Sequence, residues 1–305
     1  MTISAMPLTA TTLRQRTLGA PLALSGIGLH SGKTVHMALQ PAPIDSGITF
    51  IRTDLADAQP IAAHFTGVRG AQMASNLVNA KNQRVGTVEH LMSALAALGI
   101  DNLRVELDAP ETPILDGSAQ NFFTAIRPAI VEQSAAKKFI EIVQPVEVRD
   151  GDKIARLTPY DGFALDFTID FAHPVFCAEH ATYRFEFTTD NFAKQIAPAR
   201  TFGFLKDIEA LQRQNLTLGG SMDNAIVLDD SRVLNPEGLR FANEFVRHKI
   251  LDAMGDLYLA GHQILGEFYA YKSGHSLNNR LLQAVFANTA NWQIVTKDVK
   301  DAPKF

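Results

Sequence analysis

The chain of 305 residues has one cysteine, Cys177. A lone cysteine excludes an internal disulfide and a cysteine-rich zinc knot, and it fits a reducing compartment. No uninterrupted apolar stretch reaches the roughly 20 residues that span a bilayer, so no transmembrane segment is expected. The opening stretch MTISAMPLTATTLRQRTL lacks the basic start and long apolar run of a secretory signal. A cytoplasmic location is therefore expected. Excess positive charge is also lacking. Lys and Arg number 28 against 32 Asp and Glu, a net charge of -4 that gives no general attraction to nucleic acid or anionic membrane. No basic stripe supports nucleic-acid binding, although a local basic pocket for a phosphate is compatible with this balance. Hydrophobic residues at 46% and charged residues at 20% are those of a soluble globular protein, long enough for two ordinary domains or one large one.

Residues 1–12 read as a loose tail. The stretch from Gln15 to Leu39 is β-like, with a turn at Leu29–Lys33, and further strands are expected at Gly47–Arg52 and Leu103–Leu107. A helix is expected from Thr87, as N-cap, to a stop at Gly99, and a second after Asp116-Gly117 with Ser118 as its cap. Glu132–Lys138 is polar and small and reads as a linker. Strand patterns return at Phe139–Val148, Lys153–Leu157 and Phe163–Phe171. Phe241–Leu259 reads as a strong helix, followed by Gly261, a strand near Ile264–Tyr271 and a helix at Leu277–Ala287.

Both halves end in the order helix, glycine, strand, glycine-containing loop, helix. His90 and His248 fall near corresponding places, and Ser118 and His275 nearly so. This predicts two similar α+β domains packed against each other, with a site where they meet. Chance is the alternative, because helix–strand–helix order is common.

His248, Asp252 and Asp256 are spaced by four, so on a helix they share one slowly drifting face. Imidazole and carboxylate at i and i+4 suit two ligands on one metal. A surface His–Asp pair is the plainer alternative, and spacing alone favours it. The His-Glu-x-x-His motif is absent. Glu89 and His90 open the first helix. A general base beside a metal ligand would look like this, and so would a first-turn acid beside an ordinary histidine. His275 lies in a Gly-bounded loop and is a candidate acid or an ordinary loop histidine. Thr201, between aromatics, is a candidate oxyanion donor or part of a packed turn. Together, two His and one Asp make a three-ligand set with an open fourth position, a composition that signals catalysis more than structure. With Glu89 as base and His275 as acid the set describes a hydrolase.

At this point the chain resembles the UDP-3-O-acyl-N-acetylglucosamine deacetylases, zinc amidases of lipid A biosynthesis in Gram-negative bacteria. The strings that carry the resemblance are GLHSGK (28–33), TVEHL (87–91), LDGSA (115–119), ARTFGF (199–204), LGGS (218–221), NAIV (224–227), RHKILDAMGDL (247–257) and YKSGHSLNN (271–279). They occur in order between about Gln15 and Val295.

The resemblance implies that His90, His248 and Asp252 hold Zn2+, which Fe2+ is able to replace on the same His and carboxylate donors. It implies Glu89 as general base, His275 as general acid oriented by Asp256, and Thr201 as oxyanion donor. Lys249 is similar to a substrate-binding lysine, and Phe171, Lys153 and Lys272 are expected at the nucleotide diphosphate. An apolar passage for the acyl chain is expected from Phe202, Phe204, Leu205, Ile208, Met222 and Val227. The implied fold is two α+β domains, 13–134 and 139–295, each a sheet covered by two helices, packed face to face. The implied partner is a UDP-linked acylated amino sugar, and no oligomer is implied. A zinc amidase for another amino-sugar amide and a non-catalytic nucleotide-sugar module with a structural metal are the rival readings.

Overall fold

The computed structural model describes residues 11–70, 73–213 and 216–301. The expected tail at 1–12 lies outside these residues up to residue 10, as does the end of the C-terminal tail from residue 302.

In Leu103–Leu107 the alternating residues Leu103, Val105 and Leu107 are buried, which is the period of a half-buried strand. It lies at the centre of a five-stranded sheet in the order Leu22–Ile27, Thr34–Pro41, Leu103–Leu107, Ile48–Arg52, Ile61–Ala62. Only the pairing with Ile48–Arg52 is parallel. Helices α1 (Glu89–Leu98) and α2 (Gln120–Ile126) accompany this sheet. Every residue of α1 is buried, as its Ala- and Leu-rich sequence allows, and Gly99 ends it at φ 66, a left-handed conformation suited to glycine.

The second sheet has seven strands. Its long central strand Gln263–Tyr271 runs parallel to Phe139–Ile142 over its first residues and parallel to Phe163–Thr168 over the remainder. Lys153–Thr158 pairs antiparallel to it, and Val146–Asp150, Thr182–Glu186 and Trp292–Val295 complete the sheet. Before its helical cover come a single turn, α3 (Thr189–Asn191), and a short helix, α4 (Leu205–Gln212). The cover is α5 (Glu244–Tyr258) and α6 (His275–Phe286). The molecule is thus α+β, and one buried apolar cluster runs through both sheets and their helices.

Four expectations are corrected. Glu132–Lys138 is not a linker. Most of it belongs to the strand Ile130–Ala136, which pairs antiparallel with Arg14–Leu18. Lys137 is buried, with its Nζ 2.7 Å from Asp101. A polar strand whose partner lies near the N-terminus carries no apolar alternation to reveal it. The single strand expected at Phe139–Val148 is two, interrupted before Val146 at Pro145, which lacks the N–H a ladder needs. Helix α5 starts at Glu244 rather than Phe241, and α6 starts at His275 rather than Leu277.

Helices α1 and α5 pack along each other, and Gly255 sets their separation. A Cβ there would meet the Glu89 backbone oxygen at 2.1 Å and its Cα at 3.0 Å. Gly255→Ala should force the helices apart and cost about 1–3 kcal/mol of stability, the usual range for overpacking. Denaturant unfolding measures it, and unchanged stability would show slack at the crossing.

Candidate active site

Residues from both helices meet at this crossing. Glu89 and His90 are the first two residues of α1, while His248, Asp252 and Asp256 occupy successive turns of α5. All five are buried, with His248 only 1% exposed, which eliminates the surface-pair reading of the spacing. Thr87 does not cap α1. It has φ 55, the helix is preceded by Val88, and no side chain caps it. The carbonyl of Thr87 accepts from the Thr112 hydroxyl at 2.5 Å.

His90 Nε2 and His248 Nε2 lie 3.5 and 3.3 Å from the same oxygen, Asp252 Oδ1. One ligand atom from each residue falls within 4.8 Å of the others. Donors about 2.0–2.1 Å from a tetrahedral zinc stand roughly 3.3–3.4 Å apart, so the cluster has the spacing of a three-donor metal site. Its chemistry fits as well. His248 Nδ1 donates to the Ala199 carbonyl at 3.0 Å, which leaves the Nε2 lone pair facing the cluster. Burial lowers the His248 pKa to about 3, with Asp252 opposing, so the imidazole is neutral as a ligand must be. Lys249 Nζ binds the other oxygen, Asp252 Oδ2, at 2.6 Å.

On the far side of Glu89 stands His275. Its Nε2 is 3.8 Å from Glu89 Oε1, and its Nδ1 is 2.9 Å from Asp256 Oδ2. Burial opposes a charge on this imidazole, but Asp256 and Glu89 outweigh it and raise the His275 pKa to about 9. Burial also raises the pKa of Glu89, with His275 and His90 acting in the opposite sense. The arrangement pairs a carboxyl whose proton affinity is increased with an imidazolium that stays protonated at neutral pH.

Three residues that sequence reasoning missed complete the network. The Ser75 amide donates to Glu89 Oε2 at 3.0 Å, and its hydroxyl donates to Asp256 Oδ1 at 2.5 Å. Asn278 Nδ2 donates to Asp256 Oδ2 at 2.8 Å, and Asn278 Oδ1 accepts from the Ser273 hydroxyl at 2.7 Å. Ser273 and Asn278 lie in the YKSGHSLNN string, whereas nothing in the letters around Ser75 marks it.

The family model for UDP-3-O-acyl N-acetylglycosamine deacetylase matches residues 15–287. The chain belongs to this family. A UDP-3-O-acyl-N-acetylglucosamine deacetylase of Pasteurella multocida is 55% identical over 291 residues, 95% of each chain. Its counterpart in Mannheimia succiniciproducens is 54% identical over 95% of each, and that of Vibrio vulnificus 53% over 93% of each. The membership covers both helices that carry the cluster.

The remaining family-implied residues fall into two groups. Lys153, Phe171, Lys249 and Lys272 line one cavity of about 590 Å³ together with His275. Lys272 Nζ bridges Asp152 and Asp170 at 2.8 and 2.9 Å. The Phe202 ring lies 6.4 Å from that of His248, in the donor cluster, and 5.8 Å from Nζ of Lys249, which lines this cavity. Phe202–Phe204 pairs in parallel with Ile226–Leu228, and Phe171, Phe176, Phe202 and Phe204 form an aromatic cluster beside it. Leu205 and Met222 are exposed over less than half of their surface, Ile208 is half-buried beneath Gly203, and Val227 is buried. Thr201 is half-buried at the start of this segment. Its amide donates to the Gly117 carbonyl at 2.8 Å, and its own carbonyl accepts from Ile226 at 2.8 Å.

Proposed function

We propose that the chain is a zinc-dependent deacetylase. It removes the N-acetyl group of UDP-3-O-(3-hydroxyacyl)-N-acetylglucosamine, releasing acetate and the free amine, an early step of lipid A biosynthesis. The observation that carries this reading is the convergence, in a member of the family, of a His-His-Asp donor cluster with a carboxyl–imidazole pair. A closed structural metal site needs no such pair.

His90, His248 and Asp252 would hold the cation. When bound, it supplies a Lewis acid for the amide carbonyl and the attacking water. Glu89 takes the proton of that water. The Thr201 hydroxyl donates to the developing oxyanion. His275, held by Asp256, delivers a proton to the sugar nitrogen so that the amine departs neutral. Lys249, Lys153 and Lys272 supply positive charge to the diphosphate and Phe171 an apolar face to the nucleotide. Phe202, Phe204, Leu205, Ile208, Met222 and Val227 border the acyl chain. Fe2+ suits the same donors.

The reading includes two copies of one α+β plan, at 13–134 and 139–295. In support, the order α1, strand, α2 matches α5, strand, α6, and each intervening strand has a parallel neighbour. No helix among the described residues is long and apolar enough to cross a membrane. We place the enzyme in the cytoplasm, where a lone reduced cysteine and a UDP-linked substrate belong.

The test is acetate release from the UDP-linked substrate. Activity should vanish on chelation and return with Zn2+. His248→Ala should lose bound metal together with activity. Turnover that survives complete metal removal would overturn the proposal.

The acyl chain gives a second reading. Each buried methylene contributes roughly 0.8 kcal/mol, so burying even about four is worth a factor above 100. The unacylated sugar nucleotide should therefore lose at least that factor in kcat/KM. Equal efficiency would remove the passage.

A further inference from the structure

The peptide between Ala199 and Arg200 is gripped at both ends by side chains of α5. Its carbonyl accepts from His248 Nδ1 at 3.0 Å, and its N–H donates to Glu244 Oε1 at 3.0 Å. Glu244 and His248 are one helical turn apart, so they present to the same side and reach the two poles of one peptide plane. Glu244 is fully buried. Its carboxylate also accepts from Arg200 Nε at 2.9 Å, from Arg200 Nη2 at 3.2 Å and from the Arg240 amide at 2.5 Å. Arg200 extends the grip to Glu237 Oε1 at 2.6 Å and to the Gly238 carbonyl at 2.7 Å.

A metal-bound histidine commonly hands its second N–H to a carboxylate or a carbonyl, which fixes the ring and raises its basicity. Here a carboxylate and a carbonyl act in series. A peptide whose N–H is bound by an anion is polarised, and its carbonyl becomes the stronger acceptor. We propose that Glu244 is a positioning residue: the remote anion of a carboxylate–peptide–imidazole relay that fixes His248 with its proton on Nδ1 and sets the affinity of the cluster for its metal. The relay also ties the start of the ARTFGF segment to α5, so Thr201 and Phe202 share an anchor with His248.

The inference rests on the metal reading above, and zinc affinity of the purified full chain, measured by competition with a chelator, separates the two. Failure of the wild-type chain to bind Zn2+ tightly removes the metal reading. Tight binding in wild type and in Glu244→Gln removes only the relay. The relay predicts that Glu244→Gln weakens Zn2+ binding about 10–100-fold, the range for residues that support metal ligands. Its Co2+ form should show an altered visible spectrum. Glu237→Gln, which touches the same Arg200 but not the peptide, should stay within about threefold. An equal loss in Glu237→Gln would reduce Glu244 to one part of a general clamp and overturn the relay.

Glu244→Gln leaves Arg200 buried with its main counter-charge gone, which is destabilising. Arg200→Met/Glu244→Gln removes both charges together and is the companion variant. It should show the same weakened binding, and wild-type affinity in it refutes the relay. The wild-type chain gives a reading that needs no variant. In apo protein labelled with 15N-histidine, His248 must carry its proton on Nδ1, and an Nε2–H tautomer would overturn the proposal.

Discussion

Glu89→Gln should reduce turnover by about 10²–10⁴-fold, the usual contribution of a general base, while leaving the bound metal in place. In free-energy terms that is about 3–5 kcal/mol of barrier. The substitution is close to isosteric, and the amide oxygen of Gln can still accept from the Ser75 amide that holds Glu89 Oε2. What it cannot do is take a proton. Glu89 is outside the three-donor cluster of His90, His248 and Asp252, so metal content should match the parent. Burial raises the Glu89 pKa, and a carboxylate with a raised pKa is the stronger base. The base must be deprotonated, so the rate of the parent should rise as pH passes upward through this raised value. Turnover and metal content of the purified variant decide the matter. A Gln variant within tenfold of the parent at full metal content would remove Glu89 as the base. A variant that lost its metal would make Glu89 part of the metal's support instead.

The sequence made visible those parts of the site that lie within one element. His248, Asp252 and Asp256 advertise themselves by spacing, because four residues make about one helical turn. Gly99 marks the end of α1 because only glycine adopts its φ freely. What the letters do not carry is proximity between elements. Nothing in the string TVEHL says that Glu89 will lie against Gly255. That contact depends on a missing Cβ on another helix, read as a ligand position's neighbour only once α1 and α5 are packed.

Backbone donors and acceptors are equally silent. The Ser75 amide on Glu89 and the Ala199 carbonyl on His248 depend on chain path, not on residue type. Thr87 shows the converse failure. Its letter suits an N-cap, yet its φ of 55 commits the backbone elsewhere. Ile130–Ala136 escaped notice because a polar strand is recognised by its partner, Arg14–Leu18, rather than by its own pattern.

His275→Ala should also lower turnover by about 10²–10⁴-fold, and it should remove the basic limb of the pH profile, whereas Glu89→Gln removes the acidic one. The imidazole is placed to donate from Nε2, on the Glu89 side, while Nδ1 is held by Asp256 at 2.9 Å. Burial alone would favour its neutral form, but Asp256 and Glu89 raise its pKa to about 9. An acid must be protonated to act. Turnover by the parent should therefore hold through neutral pH and fall as pH rises through about 9. Together with the rising limb from Glu89 this makes a bell, and because the two groups interact, each limb belongs partly to the pair.

Replacing His275 by alanine removes the group that titrates on the basic side, so the residual activity should lose its high-pH fall. Metal content should not change, since His275 is outside the donor cluster. Asp256→Asn keeps a partner for the ring but withdraws a negative charge. It should move the basic limb to lower pH and cost less turnover than His275→Ala, because Asn278 and Ser75 continue to hold residue 256 in place. Profiles of kcat and kcat/KM for the parent and both variants test this directly. If His275→Ala retained near-normal turnover, or kept the basic limb at its original pH, the proton delivered to the leaving amine would have to come from another group.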